Sequence, residues 1–98
     1  MSSKSQRTSA AYKRAKLKAY ERDGWRCVFC GCADNLTPAH IIRVSQGGAV
    51  DRSGNIMTAC SECHRKFDSY EIGLPEIVKI RMSTGHMQAY LKLRKVNP

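Results

Sequence analysis

The sequence predicts a small α+β domain whose centre is pinned by a four-cysteine zinc knot and flanked by basic helices. Three observations predict it. Cys27-Val-Phe-Cys30 and Cys60-Ser-Glu-Cys63 are two Cys-x-x-Cys pairs, and each such turn places two sulfurs on one side of a knuckle, so that two pairs close a tetrahedral zinc site. The segment between the pairs holds two short apolar runs of strand length. Both ends of the chain read as helical and carry the excess positive charge.

A chain of 98 residues buries only about two thirds of its unfolded surface, so a metal staple adds what a small core lacks. A disulfide framework is the poorer reading. Cys32 makes five cysteines, an odd number, and reads as a spare small side chain. No run approaches the roughly 20 apolar residues of a membrane span, and Met1 to Lys18 has no secretory stretch. The expectation is a cytoplasmic protein without a membrane partner, where thiolates outlast disulfides.

Along the chain, Ser2 to Thr8 reads as disordered. Ser9 to Arg22 reads as a helix with Tyr12, Ala15 and Ala19 on one face and Gly24 as its stop. Trp25 and Phe29 are expected to pack the knuckles. Asp34-Asn35 marks a turn, and Leu36 to Val44 contains a strand through Ala39, His40, Ile41 and Ile42. Gln46-Gly47-Gly48 opens a polar loop that runs through Asp51, Arg52, Ser53 and Gly54. Asn55 to Thr58 offers a second strand, and the chain turns into a helix from Cys60 onward. Pro75 is placed to start another helix, which Ser83-Thr84-Gly85 interrupts before a last basic segment from His86 to Val96. The expected organisation is a basic arm and helix over 1–22, a zinc-stapled core over 23–74 and a basic helical segment over 75–98, all in one compact domain.

The net charge of +9 is unevenly placed. Residues 1–22 carry seven Lys or Arg against Glu21 alone, and residues 76–98 carry five against Glu76 alone. Residues 23–75 hold five basic and six acidic side chains. Positive flanks around a nearly neutral centre suit a phosphate backbone, because each neutralised phosphate releases counterions without sequence choice. Lys13, Arg14, Lys92 and Arg94 are candidate backbone contacts. The bland alternative is a solvated helix face. A membrane surface fits poorly, since the ends lack a strongly apolar face with large anchors.

The residues from Arg22-Asp23-Gly24-Trp25-Arg26-Cys27 through Cys30-Gly31, His40-Ile41-Ile42, Ser45-x-Gly47-Gly48, Asn55 and Cys60-x-x-Cys63-His64 to Lys66 resemble the HNH endonucleases, in the subgroup whose ββα-metal core is held by a four-cysteine zinc site. That resemblance implies metal-dependent hydrolysis of nucleic-acid phosphodiesters, with DNA as the expected partner and structural Zn²⁺ on Cys27, Cys30, Cys60 and Cys63. It implies His40 as the general base and Asn55 as the residue that orients loop and base. His64 becomes a ligand for a catalytic Mg²⁺, Mn²⁺, Ni²⁺ or Co²⁺. Small stand-alone members of this family often accompany phage or restriction genes, which points to a larger partner.

The chemistry of the residues agrees, since phosphodiester hydrolysis needs an activated water, charge compensation at phosphorus and a hold on the backbone. A histidine, a hard metal and basic side chains supply these; Arg43, Arg65 and Lys66 flank the candidate positions and can contact phosphates. Read alone, His40 is a strand histidine satisfied by a backbone hydrogen bond, and Asn55 a turn former. Gly47 and Gly48 permit positive φ and close approach. His86 reads as bland.

One departure stands out: many family members carry Asp or His before the base, where this chain has Ala39. Asp68 shares a helix face with His64 and is a substitute ligand, also for the catalytic metal. Completion by water and substrate phosphate, or loss of activity, are the other readings. The competing function is a noncatalytic zinc-dependent nucleic-acid-binding module. A zinc deaminase is excluded, since Ile42 stands where its His-x-Glu needs the acid and Ala59 where its second element needs proline. Nothing in the chain resembles an appended reading module, so low intrinsic sequence specificity is expected, with nicking or double-strand cleavage both compatible.

Overall fold

The computed structural model describes residues 9–96; Ser2 to Thr8 and the Arg94 side chain lie outside the described residues. The first helix, α1 (Ala10–Arg22), starts where Ser9 Oγ accepts from Tyr12 N at 3.1 Å, a side-chain cap for an otherwise orphaned donor. It stops at Asp23, and Gly24 takes a left-handed φ of 69°. Its buried face is Ala15, Ala19 and Tyr20, with the two alanines small enough to admit Ile56 against the helix.

Two strands follow, β1 (Leu36–His40) and β2 (Ile56–Cys60), paired antiparallel with Leu36 opposite Cys60 and His40 opposite Ile56. The first is shorter than the apolar run suggests. Ile41 N still donates to Asn55 O at 2.9 Å, but the Asn55 side chain then takes the backbone groups of Ile42, and the chain turns through Val44–Gln46. Ile41 and Ile42 are therefore core residues held in a loop.

All five residues of β2 are buried, because both its faces are covered. Ile56 packs on α1, and Thr58 Oγ1 donates to Ala19 O at 3.3 Å. Met57 and Ala59 belong to the larger core with Ala39, Phe67 and Val78. The Thr58 backbone points outward from the pair: its N–H donates to Asp23 Oδ2 at 3.0 Å and its carbonyl accepts from Val28 N at 2.9 Å. Thr58 faces Pro38, so this is a non-hydrogen-bonded pair and the missing proline N–H breaks no ladder bond.

Helix α2 (Ser61–Asp68) begins directly after β2, and α3 (Glu76–Arg81) starts just past Pro75. The break falls at Met82 and Ser83, where Ser83 Oγ accepts from His86 N at 3.2 Å, and α4 (Thr84–Val96) follows. Tyr90 of α4 stacks on Phe67 of α2 with ring centroids 6.3 Å apart, and Phe29 meets Phe67 from the first knuckle at 5.8 Å. Trp25 does not join Phe29 at the knuckles as expected. It occupies a positive-φ turn after α1, is half exposed, and packs edge-on against Tyr20. Among the described residues, no helix is long and apolar enough to cross a membrane.

Asp23 ties three parts of the fold together. Its fully buried carboxylate pairs with Arg22 at 2.9 Å and Arg81 at 2.8 Å while accepting from Thr58 N. Burial pushes this carboxyl up, but the bonds from Arg22 and Thr58 outweigh it and hold it below the ordinary carboxylate value. A depressed value stabilises the fold above the ordinary carboxylate pKa, and that contribution is lost as pH falls through the lower folded value. Asp23→Asn should cost about 2 to 3 kcal/mol by urea denaturation at pH 7, the range of hydrogen bonds to a charged group, and the gap to the wild type should narrow when the same titration is run at the acid end.

Candidate active site

The four cysteines reach one point from two chain segments. Cys27 and Cys30 lie between α1 and β1, Cys60 ends β2, and Cys63 lies in the first turn of α2. Their sulfurs all lie within 4.8 Å of one another, and Cys30 Sγ is 3.8 Å from Cys60 Sγ. Zinc–sulfur bonds of about 2.3 Å in a tetrahedron imply sulfur separations of about 3.8 Å, so the cluster fits a zinc ion closed by four thiolates. Backbone N–H groups already point at the sulfurs: Phe29 N and Cys30 N at Cys27 Sγ (3.4 and 3.5 Å), and Cys63 N at Cys60 Sγ (3.4 Å). Hydrogen bonds from the Cys32 backbone and thiol and from Cys27 pull the Cys30 thiol down to about 6, whereas burial pushes Cys63 up. Among the described residues, no other group of three or more His, Cys, Asp or Glu has metal-binding geometry. Cys32 stands outside the cluster.

An open groove of about 310 Å³ runs beside β1, lined by Pro38, His40, Arg43, Val44, Ser45, His64 and Asp68. His40 ends β1 and is 8% exposed. Its Nε2 lies 3.1 Å from Val50 O; a carbonyl only accepts, so Nε2 carries the proton and Nδ1 is the basic nitrogen. Tyr12 of α1 stacks on its ring at 6.3 Å.

His64 is oriented by a group the sequence did not single out. Thr37 Oγ1 donates its one proton to Ala59 O at 2.8 Å and also lies 2.8 Å from His64 Nδ1, so Nδ1 must be the donor of that second bond. The lone pair then sits on Nε2, which is 3.3 Å from Asp68 Oδ2 one turn along α2. Two acceptors at that distance repel unless a proton or a cation lies between them, and a histidine fixed through its other nitrogen is the usual arrangement at a metal. Ala39, in contrast, is fully buried in the core opposite Met57 and offers no ligand atom.

Arg43 enters the groove with its guanidinium over the Tyr70 ring at 5.2 Å and bonded to the Asp68 carbonyl oxygen. Arg65 and Lys66 do not line it; they pair with Glu62, and Arg65 also with Glu71. Arg14, with Lys18 and Arg52, surrounds a separate recess that also holds Asp51, while Lys13 and Lys92 are exposed.

Asn55 is buried and all four hydrogen-bonding positions of its amide are used. Oδ1 accepts from Ile42 N at 3.0 Å and meets His86 Nε2 at 3.0 Å; Nδ2 donates to Ile42 O at 3.0 Å and Ala49 O at 2.9 Å. The two glycines of the loop divide their work. Gly47 takes a φ of 93°, whereas a Cβ at Gly48 would lie 1.9 Å from Ile42 O and 2.9 Å from Asn55 Nδ2. The sequence offered nothing to link His86 to Asn55, since 31 residues separate them and a single exposed-looking histidine has no periodic signal.

Residues 27–68 match the family model for HNH endonuclease, from the first knuckle cysteine to the carboxylate beside His64. The segment is an HNH domain. Its antiparallel pair, following helix and cysteine cluster are a ββα-metal core of the zinc-stapled kind. No curated protein and no solved structure matches the chain. The HNH match assigns a nuclease-type function in general, with nucleic acid as the substrate class. Stripping zinc from the HNH domain with a chelator should unfold it, because binding and folding free energy are shared in such sites; loss of the near-ultraviolet dichroism together with four newly reactive thiols checks this.

Proposed function

We propose that the protein is a metal-dependent endonuclease that hydrolyses DNA phosphodiester bonds with low intrinsic sequence specificity. The observation that carries this reading is the shared groove, in which His40, with Nδ1 left basic, and the His64–Asp68 acceptor pair stand together. His40 takes the proton from the attacking water at Nδ1, and the Nε2–H bond to Val50 O steadies the imidazolium that forms. His64 Nε2 and Asp68 Oδ2 would hold the catalytic ion, Mg²⁺ or a transition metal such as Mn²⁺, Ni²⁺ or Co²⁺. When bound, such an ion supplies positive charge against the phosphate and the departing 3′ oxygen. Arg43, braced by Tyr70, offers two donors to a phosphate in the groove. Asn55 keeps the loop and the base in register.

The basic flanks support the same reading. Lys13 and Arg14 on α1 and Lys92 on α4 would neutralise neighbouring phosphates, and we take residues 1–22 and 75–98 as flanks folded with the 23–74 core into one compact domain. Cleavage leaves a 5′ phosphate. One groove cuts one strand, so a double-strand break requires two encounters, a dimer or a larger phage or restriction partner, and the protein acts in the cytoplasm. Ala39 favours a second reading, a noncatalytic zinc-dependent nucleic-acid-binding module, because the ligand position before the base carries only a methyl group.

Supercoiled-plasmid cleavage by zinc-replete protein across Mg²⁺, Mn²⁺, Co²⁺, Ni²⁺ and Zn²⁺ separates the two. Nicking that His40→Ala lowers by at least about 100-fold is expected, with Asp68→Asn raising the metal concentration required; binding without cleavage under every metal would establish the module instead. Thr37→Val should weaken the catalytic metal about 10- to 100-fold while leaving the zinc content at one ion, as read by titration calorimetry and metal analysis.

A further inference from the structure

We infer that His86 is a positioning residue for the general base, acting through Asn55 on the loop that orients His40. Its kinetic consequence rests on the nuclease reading above; its structural consequence does not. The relay is continuous. Ile42 N donates to Asn55 Oδ1 at 3.0 Å, and a backbone N–H only donates, so that atom is the oxygen of the amide. His86 Nε2, 3.0 Å from the same oxygen, must therefore be protonated and donate to it. With its oxygen held from two sides, Asn55 aims Nδ2 at Ile42 O and Ala49 O. Val50, the next residue, supplies the carbonyl that sets the tautomer of His40 at 3.1 Å.

Two features make the relay stiff. All four hydrogen-bonding positions of the Asn55 amide are taken, so its rotation would break them, and Gly48 keeps clear of the amide a space that a Cβ would fill at 2.9 Å from Nδ2. The recess between α4 and the loop, lined by Gly48, Ala49, Arg52, Ser83 and His86, would admit water to Oδ1 if the imidazole were removed. The helix does not depend on this contact for its place. Tyr90 stacks on Phe67 and the His86 backbone N–H is capped by Ser83, so α4 should stay docked in a variant that lacks the ring. A role confined to packing would show as lost stability with His40 undisturbed.

The test compares His86→Ala and His86→Gln with the wild type, all zinc-loaded, by long-range ¹H–¹⁵N correlation of the His40 ring and by plasmid-nicking kinetics. Glutamine carries an N–H at a similar reach. His86→Ala should turn the single Nε2–H tautomer of His40 into a mixture and lower kcat about tenfold with KM nearly unchanged, and His86→Gln should restore both. An unaltered His40 spectrum in His86→Ala, or no restoration by glutamine, overturns the inference. A wild type that does not cut DNA would defeat the nuclease reading, and the His40 spectra would still decide the relay.

Discussion

Four sulfurs held within 4.8 Å of one another join the chain just after α1 to the junction of β2 and α2, and the geometry of the groove follows from that junction. Cys60 Sγ belongs to the cluster and also caps α2 by accepting from Cys63 N. The position of the cluster therefore fixes where α2 begins. With the helix start set, the turn of about 100° per residue carries His64 off the sulfur side to Thr37, and Asp68 follows one turn later. A hairpin of two five-residue strands has little stability of its own; here it is held by α1 on one face and the main core on the other, with the four-cysteine cluster at its end.

Much of this was legible in the chain because it rests on residue types with narrow chemistry. Two Cys-x-x-Cys pairs, a histidine on an apolar run and a histidine directly after the last cysteine name their own surroundings, and Pro75 and Gly24 punctuate the helices as their backbones require. What was not legible depends on distance in sequence. Thr37 reaches His64 across 27 residues, and His86 reaches Asn55 across 31, so neither leaves a periodic or local trace. The end of β1 is hidden from the sequence for a related reason. Ile41 and Ile42 are as apolar as strand residues, but a buried asparagine side chain takes over the backbone bonds that a neighbouring strand would otherwise make.

Electrostatics follows the same division between local and long-range. The core is close to neutral and its acidic groups are largely paired: Asp23 with Arg22 and Arg81 from the two flanks, Glu62 and Glu71 with Arg65. The His64–Asp68 pair stands in the open groove, and a proton or a cation must lie between its facing atoms, 3.3 Å apart. The excess positive charge lies on the flanks, and the stacking of Arg43 on Tyr70 limits that side chain's freedom.

The pairing of Pro38 with Thr58 bears on how the molecule behaves in a crowded solution. A two-stranded sheet has two edges, and each invites another chain to extend it. Along β2 that invitation is withdrawn at Thr58, whose outward backbone groups are taken by Asp23 and Val28. Along β1 the middle outward position is Pro38, which has no N–H to give. The hairpin thus ends as a sheet where it begins, and a neighbouring copy has no continuous ladder to join. The groove beside β1 is thereby lined with side chains, the imidazoles of His40 and His64 and the charges of Arg43 and Asp68, in place of a partner strand.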